Sequence, residues 1–304
     1  MIDEAVIAGF LAASVRVATP LLLAAIGETI TERGGVINLG IEGAMLAGAL
    51  AAALGAADSG AGTGVAAALV AGVIVAAVFG AVAIGARADQ IIAGTAVTLG
   101  FTGLTGLIAR QAFGAAGPGL DLPVLGAVRI PMLSGIPMIG TALFAQGWLT
   151  YLAMLAVPAV WWLLFRTRWG LELRAAGESP AAAAAAGVRV GRSRMLATLI
   201  GGGFAGLGGA ALVLAQVGTF TEQMTAGRGF IAVAIVVVGR WHPLGAAGAA
   251  MLFGAATAMQ YLFQASGTAI PYQLFIALPY VLALVALAQA VGRRAGPAAL
   301  GKSH

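Results

Sequence analysis

Charged and polar side chains are rare in this sequence, and one cluster of them separates two long apolar runs. Residues 27–45 read GETITERGGVINLGIEGAM. The ionisable and amide side chains of this segment are Glu28, Glu32, Arg33, Asn38 and Glu42. Ionisable groups at membrane depth are costly, so they usually mark a transport pathway or a tightly paired structural site. The four glycines between residues 34 and 43 interrupt helical structure and let polar groups approach a partner or a solute.

A further charge lies inside the first apolar run. Arg16 stands four residues before Pro20, at a depth where a charge needs a carboxylate, a carbonyl or water. Its candidate partners are Glu28 and Glu42, and both a buried pair that fixes helix packing and direct contact with a solute remain open. Asn38 and Glu42 are four residues apart and would share a helical face. We predict a translocation pathway at these residues: Arg16, Glu28, Asn38 and Glu42.

Catalytic chemistry lacks its usual residues here. The chain has no cysteine, and its two histidines are His242, beside Pro243, and the terminal His304. No HExxH, GxSxG or Walker A sequence occurs, and the single lysine is Lys302, so ATP binding through a P-loop is excluded. We predict no catalytic residue, no cofactor and no metal site, and we interpret His242 as a turn or interface residue.

The composition indicates a polytopic membrane protein. Of 304 residues, 61% are hydrophobic and 9% are charged, and the mean hydropathy is +1.00; soluble domains carry about 25% charged residues. We predict an all-α transmembrane bundle in one domain, residues 1–304, with broken or re-entrant segments near 34–43 and 229–239. The predicted spans are nine: 5–27, 36–57, 61–86, 91–109, 148–165, 195–217, 229–239, 244–263 and 272–291.

The arginines predict the orientation of these spans. The polar loop 166–194 holds six arginines against two glutamates, and positive loops remain in the cytoplasm. Counting outward from this loop places twelve basic residues inside and three outside, with the N-terminus outside and the C-terminus cytoplasmic. The net charge of +5 is thereby assigned to loops, and no nucleic-acid partner is expected. The count changes by one if 229–239 does not cross, and the tail from 292 is expected to be disordered.

Two further segments have recognisable local signals. Gly202 and Gly206 form a GxxxG pair, whose spacing lets helices approach closely. In the cytoplasmic loop, Ser179 can cap a helix that begins at Pro180, continues through six alanines and ends at Gly187. Such a helix carries little solubilising charge, so it is either a solvated connector or a surface that docks into a partner protein.

Three stretches, 16–28, 32–43 and 169–188, resemble the branched-chain amino acid, ribose and nucleoside permease family of ABC importers, nearest its nucleoside and simple-sugar branch. The third resembles the segment that couples such permeases to their ATPases. In this sequence the corresponding coupling residues are Arg174, Gly177, Glu178, Pro180, Ala183 and Gly187. Many ribose-type members carry an extra N-terminal span that we do not expect here, which suits the branch in which two different permeases pair.

The resemblance implies a permease subunit that moves nucleosides by alternating access and performs no bond chemistry. Its implied partners are ATP-binding cassette subunits, a second permease that is a different but related chain, an external binding protein or lipoprotein, and membrane lipid. The implied location is the cytoplasmic membrane of a prokaryote, with multiple passes. Two alternatives remain: a simple-sugar ABC permease, and an ion-coupled secondary transporter that would use Arg16, Glu28 and Glu42 as proton or ion sites.

Overall fold

Long apolar helices dominate the computed structural model, which describes residues 4–114, 122–136, 139–265 and 296–302 and five isolated positions between 277 and 288. In chain order the helices are α1 (Glu4–Arg33), α2 (Ile41–Ser59), α3 (Ala61–Gly80), α4 (Gln90–Phe113), α5 (Ile139–Phe144), α6 (Trp148–Arg166), α7 (Arg168–Glu178), α8 (Pro180–Ala185), α9 (Val190–Ala211), α10 (Arg228–Val238) and α11 (Pro243–Ala265). Two of them, α3 and α9, continue into wider π-helical turns at Ala81–Gly85 and Leu212–Val217.

Seven of these helices are long and apolar enough to cross a membrane: α1, α2, α3, α4, α6, α9 and α11. They coincide with seven of the predicted spans and confirm the polytopic helical bundle. The predicted span 229–239 corresponds to α10, which has 11 residues and a length of about 16 Å. This is about half of the 30 Å hydrocarbon core. The ninth predicted span, 272–291, lies outside the described residues apart from isolated positions.

The predicted interruption near 34–43 is present, and a second interruption lies just before the predicted broken segment 229–239, which forms the half-length helix α10. Helix α1 ends at Arg33, the chain runs without helical structure through residues 34–40, and α2 begins at Ile41. The second interruption precedes α10, where residues 218–227 form bends and turns after the π-helical end of α9. A break in each half of a transporter bundle is a recognised sign of a substrate pathway, so the two interruptions position the candidate site.

The expectation of an all-α chain needs one correction, because a short two-stranded sheet follows α4. Strand β1 (Ala127–Arg129) pairs antiparallel with β2 (Ala145–Gly147), and α5 lies between them. The hydroxyl group of Tyr151 bridges the strands, since it donates to the carbonyl of Val128 at 2.8 Å and accepts from the N–H of Gln146 at 3.1 Å. A tyrosine side chain thus supports a hairpin in a stretch where prolines disfavour helix.

Glycines let α9 pack closely at the centre of the bundle. A Cβ atom on Gly206 would collide with the carbonyl oxygen of Ala68 in α3, and one on Gly209 would collide with the carbonyl oxygen of Met45 in α2. A Cβ atom on Gly202 would meet the carbonyl oxygen of Gly72 at 2.5 Å. The predicted close packing at the GxxxG pair is therefore confirmed, and it brings backbone against backbone on two sides of α9.

The C-terminal tail differs from the expected disorder over residues 296–302. The N–H of Ala299 donates to the carbonyl of Gly177 at 2.9 Å, and the carbonyl of Lys302 accepts from Nε2 of Gln90 at 3.3 Å. The side chain of Ala299 is buried. The tail is held because its backbone groups find partners in α7 and α4, which composition alone does not reveal. It lies on the same side of the bundle as the coupling loop.

Candidate translocation and coupling sites

Polar groups from neighbouring helices hold the interruption after α1. The N–H of Asn38 donates to Oε1 of Glu28 at 2.9 Å, and the N–H of Ile37 donates to Oε1 of Gln90 at 2.8 Å. The hydroxyl of Thr98 donates to the carbonyl of Leu39 at 2.9 Å. A non-helical backbone inside a bundle needs such partners because buried N–H and C=O groups are costly when unpaired. The interruption is therefore a built element of the structure.

Glu42 connects this interruption to the second one. Its carboxylate accepts from the hydroxyl of Thr225 at 2.7 Å, from the N–H of Gly227 at 2.8 Å and from the N–H of Gly229 at 2.6 Å. These groups lie at the N-terminus of α10, where unsatisfied N–H groups and the helix dipole favour a negative charge. Gly229 is required for this approach, since a Cβ atom there would lie 2.6 Å from Cα of Glu42.

The C-terminal end of α10 is tied to the end of α1. The indole Nε1 of Trp241 donates to Oε2 of Glu32, and Nε of Arg33 donates to the carbonyl of Trp241 at 2.6 Å. Trp241 has a φ of +54°, a conformation that non-glycine residues seldom adopt. Helix α10 is thus anchored at both ends by side chains of the segment 28–42.

The structure corrects the predicted ion-pair partners of Arg16. Arg16 is exposed, and among the described residues the only ion pair within 4.0 Å joins Arg110 to Glu222, at 3.6 Å. Glu28 and Glu42 do not pair with Arg16 because their oxygens accept from backbone N–H groups of the two interruptions. The structure places Arg16 apart from the other predicted pathway residues.

The expected helical face shared by Asn38 and Glu42 is also corrected. Asn38 precedes α2, and its carbonyl accepts from the N–H of Ile41 at 3.2 Å, whereas Glu42 lies in the first turn of α2. Both side chains are buried, and each lies at one of the interruptions. Three predicted pathway residues, Glu28, Asn38 and Glu42, are therefore brought together by the interruptions instead of by helical periodicity.

The predicted set of pathway residues did not include four residues that complete this cluster: Glu32, Thr225, Gly229 and Trp241. The spacing of Glu28 and Glu32, one helical turn apart on α1, was a usable signal. No local signal connects the other three to partners that lie 183 to 209 positions earlier in the sequence. Three buried oxygens of the cluster have no hydrogen-bond partner in the structure: Oε2 of Glu28, Oε1 of Glu32 and Oδ1 of Asn38.

The coupling segment forms two short helices that meet at Ser179. The Thr167 hydroxyl accepts from the N–H of Gly170 at 3.0 Å and caps α7. The Ser179 hydroxyl accepts from the N–H of Ala182 at 3.4 Å and caps α8, whose first residue is Pro180. Gly187 follows with a φ of +87°, which suits glycine at the end of a helix. The predicted alanine helix and both of its boundary signals are confirmed.

Buried contacts fix α7 against the ends of α1 and α9. Arg194 donates from Nε to the carbonyl of Gly34 at 2.9 Å and from Nη2 to the carbonyl of Ala176 at 3.2 Å. Gly177 is needed here, because a Cβ atom would collide with the carbonyl oxygen of Arg33. Arg174 donates to the carbonyl of Leu164 at 3.0 Å. The coupling loop is therefore mechanically connected to the interruption that begins at residue 34.

The alanine helix α8 has one buried side and a broad exposed one. Ala183 is 4% exposed, so its side chain faces the bundle. The exposed alanines of this segment are Ala181, Ala182, Ala184, Ala185 and Ala186. Among the predicted coupling residues, Glu178 and Gly187 are exposed, while Gly177 and Ala183 are buried where the loop packs against the bundle. A partner protein approaching this side would meet a short, uncharged helical surface.

His242 occupies the turn between α10 and α11. Its N–H donates to the carbonyl of Gly239 at 3.2 Å, and its ring lies 5.2 Å from that of Phe165. Partial burial and the nearby charge of Arg33 hold the pKa of His242 below its ordinary value. The imidazole is therefore neutral near pH 7, and its packing agrees with the predicted turn or interface role.

Residues 10–287 match the protein-family model described as the branched-chain amino acid transport system / permease component. The match covers most of the chain, which therefore belongs to this permease family. Family membership and the seven long apolar helices confirm the predicted placement as a multi-pass protein of the cytoplasmic membrane. The chain is thus an ABC importer permease of the nucleoside and sugar group.

Relatives that match this chain over most of their length are named for two kinds of solute. NupQ, a guanosine ABC transporter permease of Bacillus subtilis, is 34% identical over 93% of this chain and 92% of its own length. NupC, a nucleoside ABC transporter permease of Lactococcus lactis, is 33% identical over 94% and 93%. TsgC13 of Haloferax volcanii, provisionally named a glucose ABC transporter permease, is 38% identical over 86% and 80%. No solved structure matches the chain.

A shorter match concerns another permease of Bacillus subtilis. NupP, also a guanosine ABC transporter permease of Bacillus subtilis, is 35% identical to this chain over 106 residues, which are 34% of this chain and 30% of NupP. Two different permeases that are named for guanosine transport in one organism are therefore similar to this chain over very different lengths.

Proposed function

We propose that this chain is the nucleoside-translocating permease subunit of an ABC importer. The observation that supports the substrate is the full-length similarity to NupQ and NupC, each covering more than nine-tenths of this chain. The chain itself hydrolyses no ATP in this proposal; partner ATPases do so at the cytoplasmic face. The similarity to TsgC13 supports a simple sugar as the second candidate.

The ATPase partners engage the exposed side of α8. This proposal rests on the contrast between buried Ala183 and its exposed alanine neighbours. It also rests on the contacts from α7 to Gly34, since Arg194 bridges the coupling loop to the start of the interruption. Movement of α8 on ATP binding is thereby passed to the segment 34–40, which includes Asn38.

The translocation pathway runs beside the two interruptions, and Asn38 and Glu42 lie on it or next to it. Hydrogen bonding suits the recognition of an uncharged nucleoside, and Asn38 keeps an unpaired Oδ1. Glu28 and Glu42 position the backbone of the interruptions. Arg16, which is exposed on α1, contributes to the pathway at a separate point of the bundle surface.

The second permease is a different, related chain. Support comes from NupQ and NupP, which are both named for guanosine transport and both resemble this chain. An external binding protein or lipoprotein delivers the solute. The proposed topology has nine crossings, with the N-terminus outside and the C-terminus in the cytoplasm. The tail residues 296–302 agree with it, since they contact α7 on the coupling-loop side.

The test is uptake by the complete transporter in proteoliposomes. We expect ATP-dependent uptake of radiolabelled guanosine, competed by other nucleosides and unaffected by ribose or glucose. The control is the same complex with its ATPase inactivated, assayed with and without an imposed proton or sodium gradient. Uptake of glucose in place of guanosine would assign the sugar function, and gradient-driven uptake without ATP hydrolysis would support a secondary transporter.

A further inference from the structure

Two carboxyl groups of α1 are neighbours in the interior, and no basic side chain of the described residues forms an ion pair with either of them. Glu28 and Glu32 are one helical turn apart, which places their side chains next to each other on α1, and both are at most 1% exposed. Oε1 of Glu28 accepts from the N–H of Asn38, and Oε2 of Glu32 accepts from the indole of Trp241. The remaining oxygens, Oε2 of Glu28 and Oε1 of Glu32, have no donor.

The charged and titratable groups around this pair are all engaged elsewhere. Arg33 donates to the carbonyl of Trp241, and Arg194 donates to the carbonyls of Gly34 and Ala176. From the remaining elements, the Arg174 guanidinium lies over the ring of Phe165, the imidazole of His242 packs against the same ring, Glu42 binds the N-terminus of α10, and Lys302 is exposed. Within the described part of the chain, no basic nitrogen lies within 4.0 Å of either carboxyl group.

Two neighbouring buried carboxyl oxygens are both acceptors, so they need a proton or a cation between them. Two ionised carboxylates one helical turn apart repel each other strongly in a medium of low dielectric constant, and such carboxyl pairs retain a proton. We propose that Glu28 and Glu32 form a proton-binding site in which one proton is shared between Oε2 of Glu28 and Oε1 of Glu32. The ligand of this site is a proton, and a bridging monovalent cation is the competing occupant that the experiment must distinguish.

The shared proton stabilises both interruptions at once. Through its second oxygen, Glu28 holds the backbone of Asn38, and Glu32 holds Trp241 at the end of α10. With the proton in place, the two side chains attract each other and keep these anchors together. When the proton is removed, two like charges face each other and push the segment 34–40 and the end of α10 apart. The site therefore makes the geometry of the broken helices depend on pH, independently of which solute is carried.

The first measurement is infrared spectroscopy of the purified complete transporter in H2O and D2O. A protonated carboxylic acid has a carbonyl band that shifts on deuteration, and we expect such a band in the wild-type protein. Glu28→Gln and Glu32→Gln should each remove it, because the remaining carboxylate then accepts from an amide and ionises. Glu42→Gln is the matched control: the Glu42 carboxyl group accepts from three donors of its own and is not part of this pair, so its replacement should leave the band unchanged.

The second measurement is thermal unfolding of the same complex against pH. The proton is bound at low pH, so its stabilising effect is complete there and is lost as the pH rises far enough to remove it. Glu28→Gln should flatten this alkaline loss, because an amide N–H donates at every pH. The wild-type protein alone also tests the proposal, in case the variants do not fold. A carbonyl band that persists up to the pH at which the unfolding temperature begins to fall supports the site. The absence of the band, or a midpoint that follows sodium or potassium concentration instead of pH, overturns it.

Discussion

The carboxylate of Glu42 accepts a hydrogen bond from the backbone N–H of Gly229 at 2.6 Å, although 187 residues separate the two positions. This contact places a negative charge at the N-terminus of the half-length helix α10, where the helix dipole is positive. It also joins the two interruptions of the bundle, because Glu42 lies in the first turn of α2 and Gly229 lies in the first turn of α10. A carboxylate inside this membrane bundle is thus explained by the N–H groups that it satisfies.

Replacement of Glu42 should therefore act on stability before it acts on solute selection. Glu42→Ala leaves the N–H groups of Gly227 and Gly229 without acceptors, at a cost of about 1–3 kcal/mol for each buried group. Glu42→Gln retains one acceptor oxygen but turns an amide NH2 toward a donor, so its loss should be intermediate. Thermal unfolding of the purified transporter gives the ranking. Glu222→Gln, at an exposed carboxylate, is the control and should unfold like the wild type.

If Glu42→Ala unfolds at the wild-type temperature yet loses uptake, Glu42 contacts the solute directly and the capping explanation is wrong. Normal stability together with normal uptake would remove Glu42 from both roles. Uptake must be compared at equal membrane abundance, since a destabilised permease is also a less abundant one.

Local sequence signals predicted the helices and their interruptions well, because these depend on neighbouring residues. The alanine helix is an example: Ser179, Pro180 and Gly187 each act within one turn of the helix they delimit. The glycines between 34 and 43 likewise interrupt helical structure at their own positions in the sequence. The hairpin of β1 and β2 was not predicted, since it depends on Tyr151 bridging two strands.

Partners across the bundle could not be predicted in the same way. Arg16 and the glutamates have opposite charges, and charge alone favoured a pair. The structure instead satisfies Glu28 with the N–H of Asn38 and Glu42 with the start of α10. An interruption produces orphan N–H groups, and these compete successfully with a distant guanidinium. Which residues supply the orphan groups depends on helix packing, about which one sequence contains little information.

Close packing at α9 gives a prediction about glycine. Gly206→Ala places a Cβ atom against the carbonyl oxygen of Ala68 and within 3.1 Å of Cα of Gly72. Both neighbours are backbone atoms that cannot move without shifting α3, so we expect a large loss of folded protein, of about 3 kcal/mol or more of stability. The measurement is the yield of monodisperse protein and its unfolding temperature.

Gly100→Ala is the matched control, since Gly100 lies in α4 and a Cβ atom added there would have no other atom within 4 Å. Alanine is the better helix former by about 1 kcal/mol, so this variant should be neutral or slightly more stable. Equal behaviour of the two alanine variants would mean that α9 and α3 do not approach as closely as the structure indicates.

Substitutions at two neighbouring alanines can distinguish the exposed surface of α8 from the side of α8 that packs against the bundle. Ala182 is exposed and Ala183 is buried. Ala182→Glu should leave the permease folded but weaken its contact with the ATPase, and a tenfold loss of affinity corresponds to about 1.4 kcal/mol. Ala183→Glu buries an unpaired carboxylate and should destabilise the permease itself. Co-purification of the ATPase and thermal unfolding of the permease distinguish the two effects.

The opposite pattern would relocate the docking surface. If Ala182→Glu binds the ATPase and transports normally, the exposed side of α8 is a solvated connector. If Ala183→Glu folds normally, that position is not buried in the working transporter. Uptake, ATP hydrolysis and complex formation are measured together, because uncoupling leaves hydrolysis intact while uptake falls.

The C-terminal tail supplies the last prediction, which concerns how firmly the coupling loop is seated. Ala299 is buried against α7, and its N–H donates to the carbonyl of Gly177 at 2.9 Å. Ala299→Asn introduces a larger polar side chain at this contact and should detach residues 296–302 from Gly177 at a cost of about 1–3 kcal/mol. Because Gly177 packs on the end of α1, ATP hydrolysis should then be less tightly linked to uptake.

Ala298→Asn, at the exposed neighbouring position, is the control and should keep the wild-type ratio of solute moved to ATP hydrolysed. Proteolysis of the tail, compared between the two variants, reports detachment directly; equal protection and equal ratios would show that the tail does not support the coupling loop.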